Sequence, residues 1–113
     1  MCPAMLIYKI LRAPEWALLQ SAGETAGAPV DLADGFVHFS TAEQLAETAA
    51  RYFAGEDGLT LLAVEAEGLG EALKWEPSRG GALFPHLYRV LRLSDVASVH
   101  RMPLIDGTHR LPE

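Results

Sequence analysis

One run of residues, 59–65, limits the fold of this chain more than any other feature. It reads Leu-Thr-Leu-Leu-Ala-Val-Glu, with apolar side chains at nearly every position instead of the alternation typical of a half-exposed strand. A strand of this kind is buried on both faces. We therefore expect residues 59–65 to form the central strand of a sheet that other elements cover.

Shorter patterns predict the elements around this strand. Residues 24–34 are typical of a loop because they include Gly27 and Pro29. The other patterns predict strands at 5–11, 35–39, 74–76, 83–91 and 97–102, and helices from Pro14 to Gly23, from Ser40 to about Ala54, and briefly at 68–73. The prediction is one α+β domain over residues 1–104, with a loose tail over residues 105–113.

Periodicity also predicts which side chains form the core. A strand alternates its faces and a helix repeats every 3.6 residues, so the inward positions can be read from the sequence. The predicted core residues are Val37, Phe39, Leu45, Phe53, Leu61 and Val64.

Composition limits the location and the partners of the protein. The 113 residues include one cysteine, which cannot form an internal disulfide, and no apolar run near the length of a membrane span. Pro3, Lys9 and Arg12 interrupt the first dozen residues, so no signal peptide is expected. We expect a cytoplasmic bacterial protein, a monomer or weak homodimer, with no membrane role.

Charge is spread unevenly along the chain, whose net charge is −6. Residues 1–73 carry a net −8, whereas residues 74–113 carry +2. An acidic chain repels the phosphate backbone, which argues against non-specific nucleic-acid binding. The mildly basic last third can still hold a small anion.

The first segment with candidate chemistry is 31–44. Strand alternation places His38 opposite the core face, one residue from a predicted helix N-terminus that favours an anion. Ser40 and Glu43 match a capping box, which would use the same amides internally. Asp31 and Asp34 fit an ordinary turn, and the alternative is that they bind a metal together with His38.

The second segment, 75–88, is denser in functional residue types than any other. Arg79 can bind a phosphate through two hydrogen bonds, and Glu76 can serve as a base. Gly80 and Gly81 allow a close backbone approach, and His86 and Tyr88 share a strand face that can line the same cleft as His38. The structural alternative is an Arg79–Glu76 surface pair in a glycine turn.

Several motifs together resemble one bacterial family. The segments IYKIL, DLADGFVHFSTAEQ, ETAARYF and KWEPSRGGALFPHLY resemble the family called domain of unknown function 952, over residues 7 to about 99. Arg89 is a departure, where glycine is expected in many members, and it suggests an extra charge at the edge of the cleft.

The resemblance implies an α+β fold like that of the ADP-ribosyltransferases, with a split mixed or antiparallel sheet and two main helices. Val37 to Ser40, V-H-F-S, looks like the V-H-L-S element of the NAD-dependent RNA 2′-phosphotransferases in that superfamily. The first strand, Ile7 to Ile10, lacks the histidine and arginine that those enzymes use on NAD. Glu76 is only a loose counterpart of the transferases' glutamate.

The resulting hypothesis is a protein that binds NAD or another phosphate-bearing nucleotide and transfers or hydrolyses part of it. The candidate catalytic residues are Glu76, His38 and His86. The candidate ligand-binding residues are Asp34, Ser40, Thr41, Arg79, Gly80, Gly81 and Tyr88. The alternatives are a non-catalytic sensor of a small anionic metabolite and a metal-dependent hydrolase, although no metal is expected.

Overall fold

The computed structural model describes residues 5–78 and 81–111. The predicted α+β class is confirmed, since a few helices accompany antiparallel sheets. The strands are β1 (Leu6–Leu11), β2 (Glu24–Thr25), β3 (Val37–His38), β4 (Leu59–Glu65), β5 (Leu73–Pro77), β6 (Leu83–Leu87), β7 (Leu91–Arg92), β8 (Val96–Met102), β9 (Leu104–Ile105) and β10 (Thr108–His109). The α-helices are α1 (Ala13–Ala22), α2 (Pro29–Asp34) and α3 (Ala42–Tyr52), with 3-10 helices at Ala66–Ala72 and Leu93–Asp95.

Two three-stranded antiparallel sheets form the framework. The first has the order β1-β4-β8, and the second has the order β3-β6-β5. The predicted central strand, β4, lies between β1 and β8. Five of its seven residues, Leu59 and Leu61 to Val64, are buried. The two sheets join where Tyr8 and Ser40 exchange backbone N–H···O hydrogen bonds of 2.8 Å. This junction positions the candidate site.

Two apolar clusters cover the faces of the first sheet. One includes Ile7, Leu62 and Val64 and extends to Val37 and Phe39 beside the second sheet. The other lies beneath α3 and includes Leu45 and Leu61. Five of the six predicted core residues are therefore buried, whereas Phe53 is partly buried at the end of α3. Phe53 lies at the C-terminal end of this helix, where it packs beneath the Arg12 guanidinium at 4.6 Å.

The segment predicted as a loop, residues 24–34, is ordered differently. Glu24–Thr25 pairs with Leu91–Arg92, and Pro29–Asp34 forms α2. The turn-forming residues of this segment serve as helix boundaries, because Pro29 starts α2 and Gly35 ends it in a left-handed conformation with φ 86°.

The predicted long strand at 83–91 is divided into β6 and β7. The predicted loose tail also contains structure, since Leu104–Ile105 pairs with Thr108–His109. His109 Nε2 lies 2.7 Å from the Glu56 carbonyl oxygen, and Leu111 packs against the cluster beneath α3. This part of the tail is therefore held against the domain.

Within residues 5–78 and 81–111, none of the helices has the length and apolar character needed to span a membrane.

Candidate functional site

A cavity of about 550 Å³ opens beside the junction of the two sheets. Its lining comes from β1, α2, β3, α3 and β6 and from the segment that follows β3. The side chains that matter below are Tyr8, Lys9, Arg12, Asp31, Asp34, His38, Ser40, Phe53, Phe84 and His86. Charged, aromatic and hydroxyl groups therefore share one concave surface.

Two histidines lie side by side at this surface. His38 of β3 is directly opposite His86 of β6 in the antiparallel register, and their ring centroids are 5.3 Å apart. Phe36 stacks on His86 at 4.2 Å and also contacts the His38 ring at 4.6 Å. The sheet therefore holds two imidazoles close enough to act on one ligand.

Asp31 is the buried anchor of His38. Its Oδ1 lies 2.5 Å from the His38 ring Nδ1 and accepts the His38 backbone N–H at 3.0 Å. Its Oδ2 accepts from the Ala28 N–H at 2.7 Å and forms an ion pair with Lys9 Nζ at 2.9 Å. The carboxylate thus makes four polar contacts with three residues, and two of these contacts orient the ring and the backbone of His38.

The charge state of Asp31 follows from these contacts. Burial by itself would raise the pKa of the Asp31 carboxyl, but the hydrogen bond from the His38 ring and the charge of Lys9 outweigh it and lower the pKa to about 2. The side chain is 0% exposed. Asp31 is therefore a buried anion at neutral pH, and the Lys9 ammonium balances its charge.

Gly27 makes room for this carboxylate. Its φ is 106°, a region that disfavours other residues, and an added Cβ would overlap the Asp31 side chain. The close approach explains why a glycine precedes α2 at this point.

Lys9 belongs to the site although it is not among the predicted site residues. It is 6% exposed, and its ammonium also donates to the His38 carbonyl oxygen at 3.0 Å. The sequence does contain an indication, because Lys9 shares with Ile7 and Leu11 the core-facing side of a strand. A lysine at such a position requires a buried acceptor.

His86 is held by a second carboxylate. Its Nδ1 lies 2.8 Å from Glu76 Oε1, and Tyr88 donates its hydroxyl to the same oxygen at 2.6 Å. The hydrogen bonds from Tyr88 and then from His86 lower the pKa of Glu76, and the bond to Glu76 raises the pKa of Tyr88. With Nδ1 bound to Glu76, Nε2 is the His86 ring nitrogen left for a ligand.

The candidate residues from the two sequence segments divide into three groups. Asp34, His38, Ser40 and His86 line the cavity together. Glu76 and Tyr88 do not line it: Glu76 contacts the cavity-lining His86, and Tyr88 contacts Glu76. Gly81 lies in a turn, where its N–H bonds to the Ser78 carbonyl oxygen at 2.9 Å. Arg79 and Gly80 lie outside the described residues.

The helix cap lies one residue later than predicted. Thr41, not Ser40, caps α3, and it forms a capping box with Gln44 in place of the expected Ser40–Glu43 pair. Ser40 is engaged elsewhere, since its backbone bonds to Tyr8 and its hydroxyl lies 3.0 Å from Thr48 Oγ1. Because this box uses amides at the start of α3, Thr41 has a structural role here.

Arg89 was expected at the edge of the cleft, but it does not line the cavity and instead forms an ion pair with Asp95 at 2.9 Å. Among the described residues, no group of three or more histidine, cysteine, aspartate or glutamate side chains is arranged to hold a metal ion.

Comparison with known proteins identifies the family. The family described as protein of unknown function (DUF952) matches residues 10–99. The chain belongs to this family. Membership agrees with the motifs noted in the sequence, and the matched range includes both candidate segments. No curated protein matches the chain.

Solved structures of a Caulobacter crescentus protein resemble this chain closely. The crystal structure of protein CC0527 is 56% identical, with 93% of each chain covered and a TM-score of 0.89. The solution NMR structure of CC0527 is 55% identical, with 92% of this chain and 90% of that chain covered and a TM-score of 0.83. This DUF952 chain therefore has the same overall fold as CC0527.

Proposed function

We propose that the protein binds a phosphate-bearing nucleotide in the cavity, with NAD as the first candidate, and that it transfers or hydrolyses part of that ligand. The observation that carries the proposal is the pair of adjacent imidazoles, His38 and His86, each held at Nδ1 by a carboxylate. A carboxylate at one ring nitrogen orients the ring and selects the proton position at the other, as acid–base catalysis requires.

The size and lining of the cavity support a nucleotide as the ligand. Its volume of about 550 Å³ falls within the range of small-molecule sites, roughly 300–1,000 Å³. Tyr8, Phe53 and Phe84 provide apolar surface for a flat base, while His38 and His86 provide nitrogen donors for a phosphate or ribose. Such a lining suits a ligand that is aromatic at one end and anionic at the other.

The resemblance to the ADP-ribosyltransferases supports the choice of NAD. Val37 to Ser40 looks like the V-H-L-S element of the RNA 2′-phosphotransferases, and His38 lies on the cavity surface. We extend the proposal to an ADP-ribosyltransferase-like fold on this basis. In this assignment His38 and His86 contact the ligand, whereas Glu76 and Tyr88 position His86.

The test combines binding with product analysis. NAD, ADP-ribose and ADP are titrated by calorimetry, and each is then incubated with the protein and separated by chromatography. We expect at least one of them to bind and to be converted slowly. A nucleotide that binds and is recovered unchanged would favour the sensor of an anionic metabolite, and absence of binding would refute the proposal.

His86→Asn tests the catalytic role of the ring. An asparagine amide reaches about as far as Nδ1, so it can still donate to Glu76, whereas Nε2 is removed. Turnover should fall by about 10²–10⁴, the usual contribution of a general acid or base. The control is His100→Asn, because His100 lies on β8, contacts Ser98 at 2.9 Å and does not line the cavity. Equal turnover in the two variants would remove His86 from the mechanism.

A further inference from the structure

The two carboxylates that contact His38 hold it with unequal strength. Asp31 contacts Nδ1, its side chain is 0% exposed, and it makes four polar contacts in all. Asp34 lies 3.0 Å from Nε2, and its side chain is 48% exposed. In the part of the chain that the structure describes, this ion pair is the one polar contact of the Asp34 side chain. Asp34 can therefore leave His38 by rotating into solvent, whereas Asp31 cannot.

The surroundings of His38 favour an anion at Nε2, where the Asp34 carboxylate already lies. When the ring is protonated, Lys9, Asp31 and His38 together carry one net positive charge, and all three are in contact. In this structure the Asp34 carboxylate supplies the balancing negative charge. Another anion at the same position would preserve the charge balance. Asp34 would lose its contact with His38, but its carboxylate would become fully hydrated as it moved into solvent.

The position is open to a ligand. His38 and Asp34 both line the cavity, beside Ser40 and His86. Carboxylate and phosphate oxygens make similar charge-assisted hydrogen bonds to an imidazolium. An anionic group that enters the cavity therefore meets a donor whose present partner has the same chemistry.

We propose that a phosphate oxygen of the ligand binds His38 Nε2 in the place of the Asp34 carboxylate, so that Asp34 competes with the ligand for this position. The identity of the ligand as a nucleotide rests on the proposed function, whereas the displacement itself concerns any phosphate. The competing reading is that Asp34 positions His38 permanently, as Asp31 does. The two readings predict opposite effects when the Asp34 charge is removed.

The experiment measures binding of inorganic phosphate and of ADP by calorimetry to the wild-type protein and to Asp34→Asn. A competing carboxylate weakens binding, so the variant should bind both probes about five- to tenfold more tightly. Glu43→Gln removes the same charge at an exposed position outside the cavity and should change either affinity less than about twofold. Asp34→Ala should match Asp34→Asn, since neither side chain offers a carboxylate.

A double variant shows whether the gain acts through His38. Adding His38→Ala to Asp34→Asn should remove the gain in phosphate affinity, because the proposed contact is then absent. Weaker or unchanged phosphate binding in both Asp34 variants would overturn the displacement, and so would an equal gain in Glu43→Gln.

The outcomes separate this inference from the proposed function. ADP binding with equal affinity in wild type and Asp34→Asn overturns the displacement and leaves nucleotide binding standing. Tighter phosphate binding in Asp34→Asn, with no binding of any nucleotide, overturns the proposed function alone. Absence of phosphate and nucleotide binding in every variant overturns both.

Discussion

Because the Asp31 carboxylate is buried and ionised, we expect the protein to lose stability in acid, and we expect a substitution of Asp31 to remove this part of the pH dependence. Its pKa is about 2 in the folded protein against an ordinary 3.8. One pKa unit corresponds to about 1.4 kcal/mol, so the ionised group contributes about 2 kcal/mol to the free energy of unfolding at neutral pH. This contribution comes from contacts with His38 and Lys9 that the unfolded chain lacks.

The direction follows from the lowered pKa. A carboxyl with a depressed folded pKa stabilises the protein fully above its unfolded pKa, and the contribution disappears as the pH falls towards the folded pKa. Between pH 6 and pH 3 about 1 kcal/mol of the Asp31 contribution should disappear, and most of the rest should be lost by about pH 1. The Asp31 contribution to stability should therefore not change between pH 6 and pH 8.

The assay is urea unfolding, followed by circular dichroism, at pH values from 3 to 8. Asp31→Asn should lower the free energy of unfolding by about 3–5 kcal/mol at pH 7, because Lys9 stays buried without its carboxylate. The control is Asp106→Asn, which changes an exposed residue with φ 52° that asparagine tolerates. The stability difference between the two variants should shrink by about 1 kcal/mol at pH 3. A difference that stays constant across this range would refute the assigned role of Asp31.

Three further substitutions test the packing and the helix cap. Phe39→Ala should lower the free energy of unfolding by about 3–5 kcal/mol in denaturant titrations, because Phe39 is 3% exposed within the core. A loss below about 1 kcal/mol would show that Phe39 does not face the core. Thr41→Ala should cost about 1 kcal/mol in the same titrations, whereas Glu43→Gln should cost less than about 0.5 kcal/mol, because the partner of Thr41 in the capping box is Gln44. A larger stability loss in Glu43→Gln than in Thr41→Ala would instead support the capping box of Ser40 and Glu43.

Local patterns predicted those elements whose stability comes from nearby residues. Strand β4 follows from its apolar run, and α1 follows from Pro14 near its start and Gly23 at its end. The period of two also predicted His38 on one face of its strand, and His86 and Tyr88 on one face of theirs, because alternation is a property of any strand. In the structure His86 lies on β6, whereas Tyr88 lies one residue beyond its end. These predictions needed no knowledge of distant partners.

Contacts between distant residues account for the predictions that were wrong. The start of α3 is at Thr41 because Ser40 pairs with Tyr8, which is far away in the sequence. Helix α2 was predicted as a loop because its turn-forming residues carry no sign that Asp31 would be anchored by Lys9.

The sequence by itself determined the class of fold, the central strand and the two segments that carry polar chemistry, because hydrophobic periodicity and residue type act locally. The tertiary structure alone decided the partners within the site. Strand register places His38 beside His86. The buried Lys9 pairs with Asp31, which also holds Nδ1 of His38, and Asp34 contacts the second ring nitrogen. Register and burial depend on how separate elements pack, and a local pattern does not contain that information.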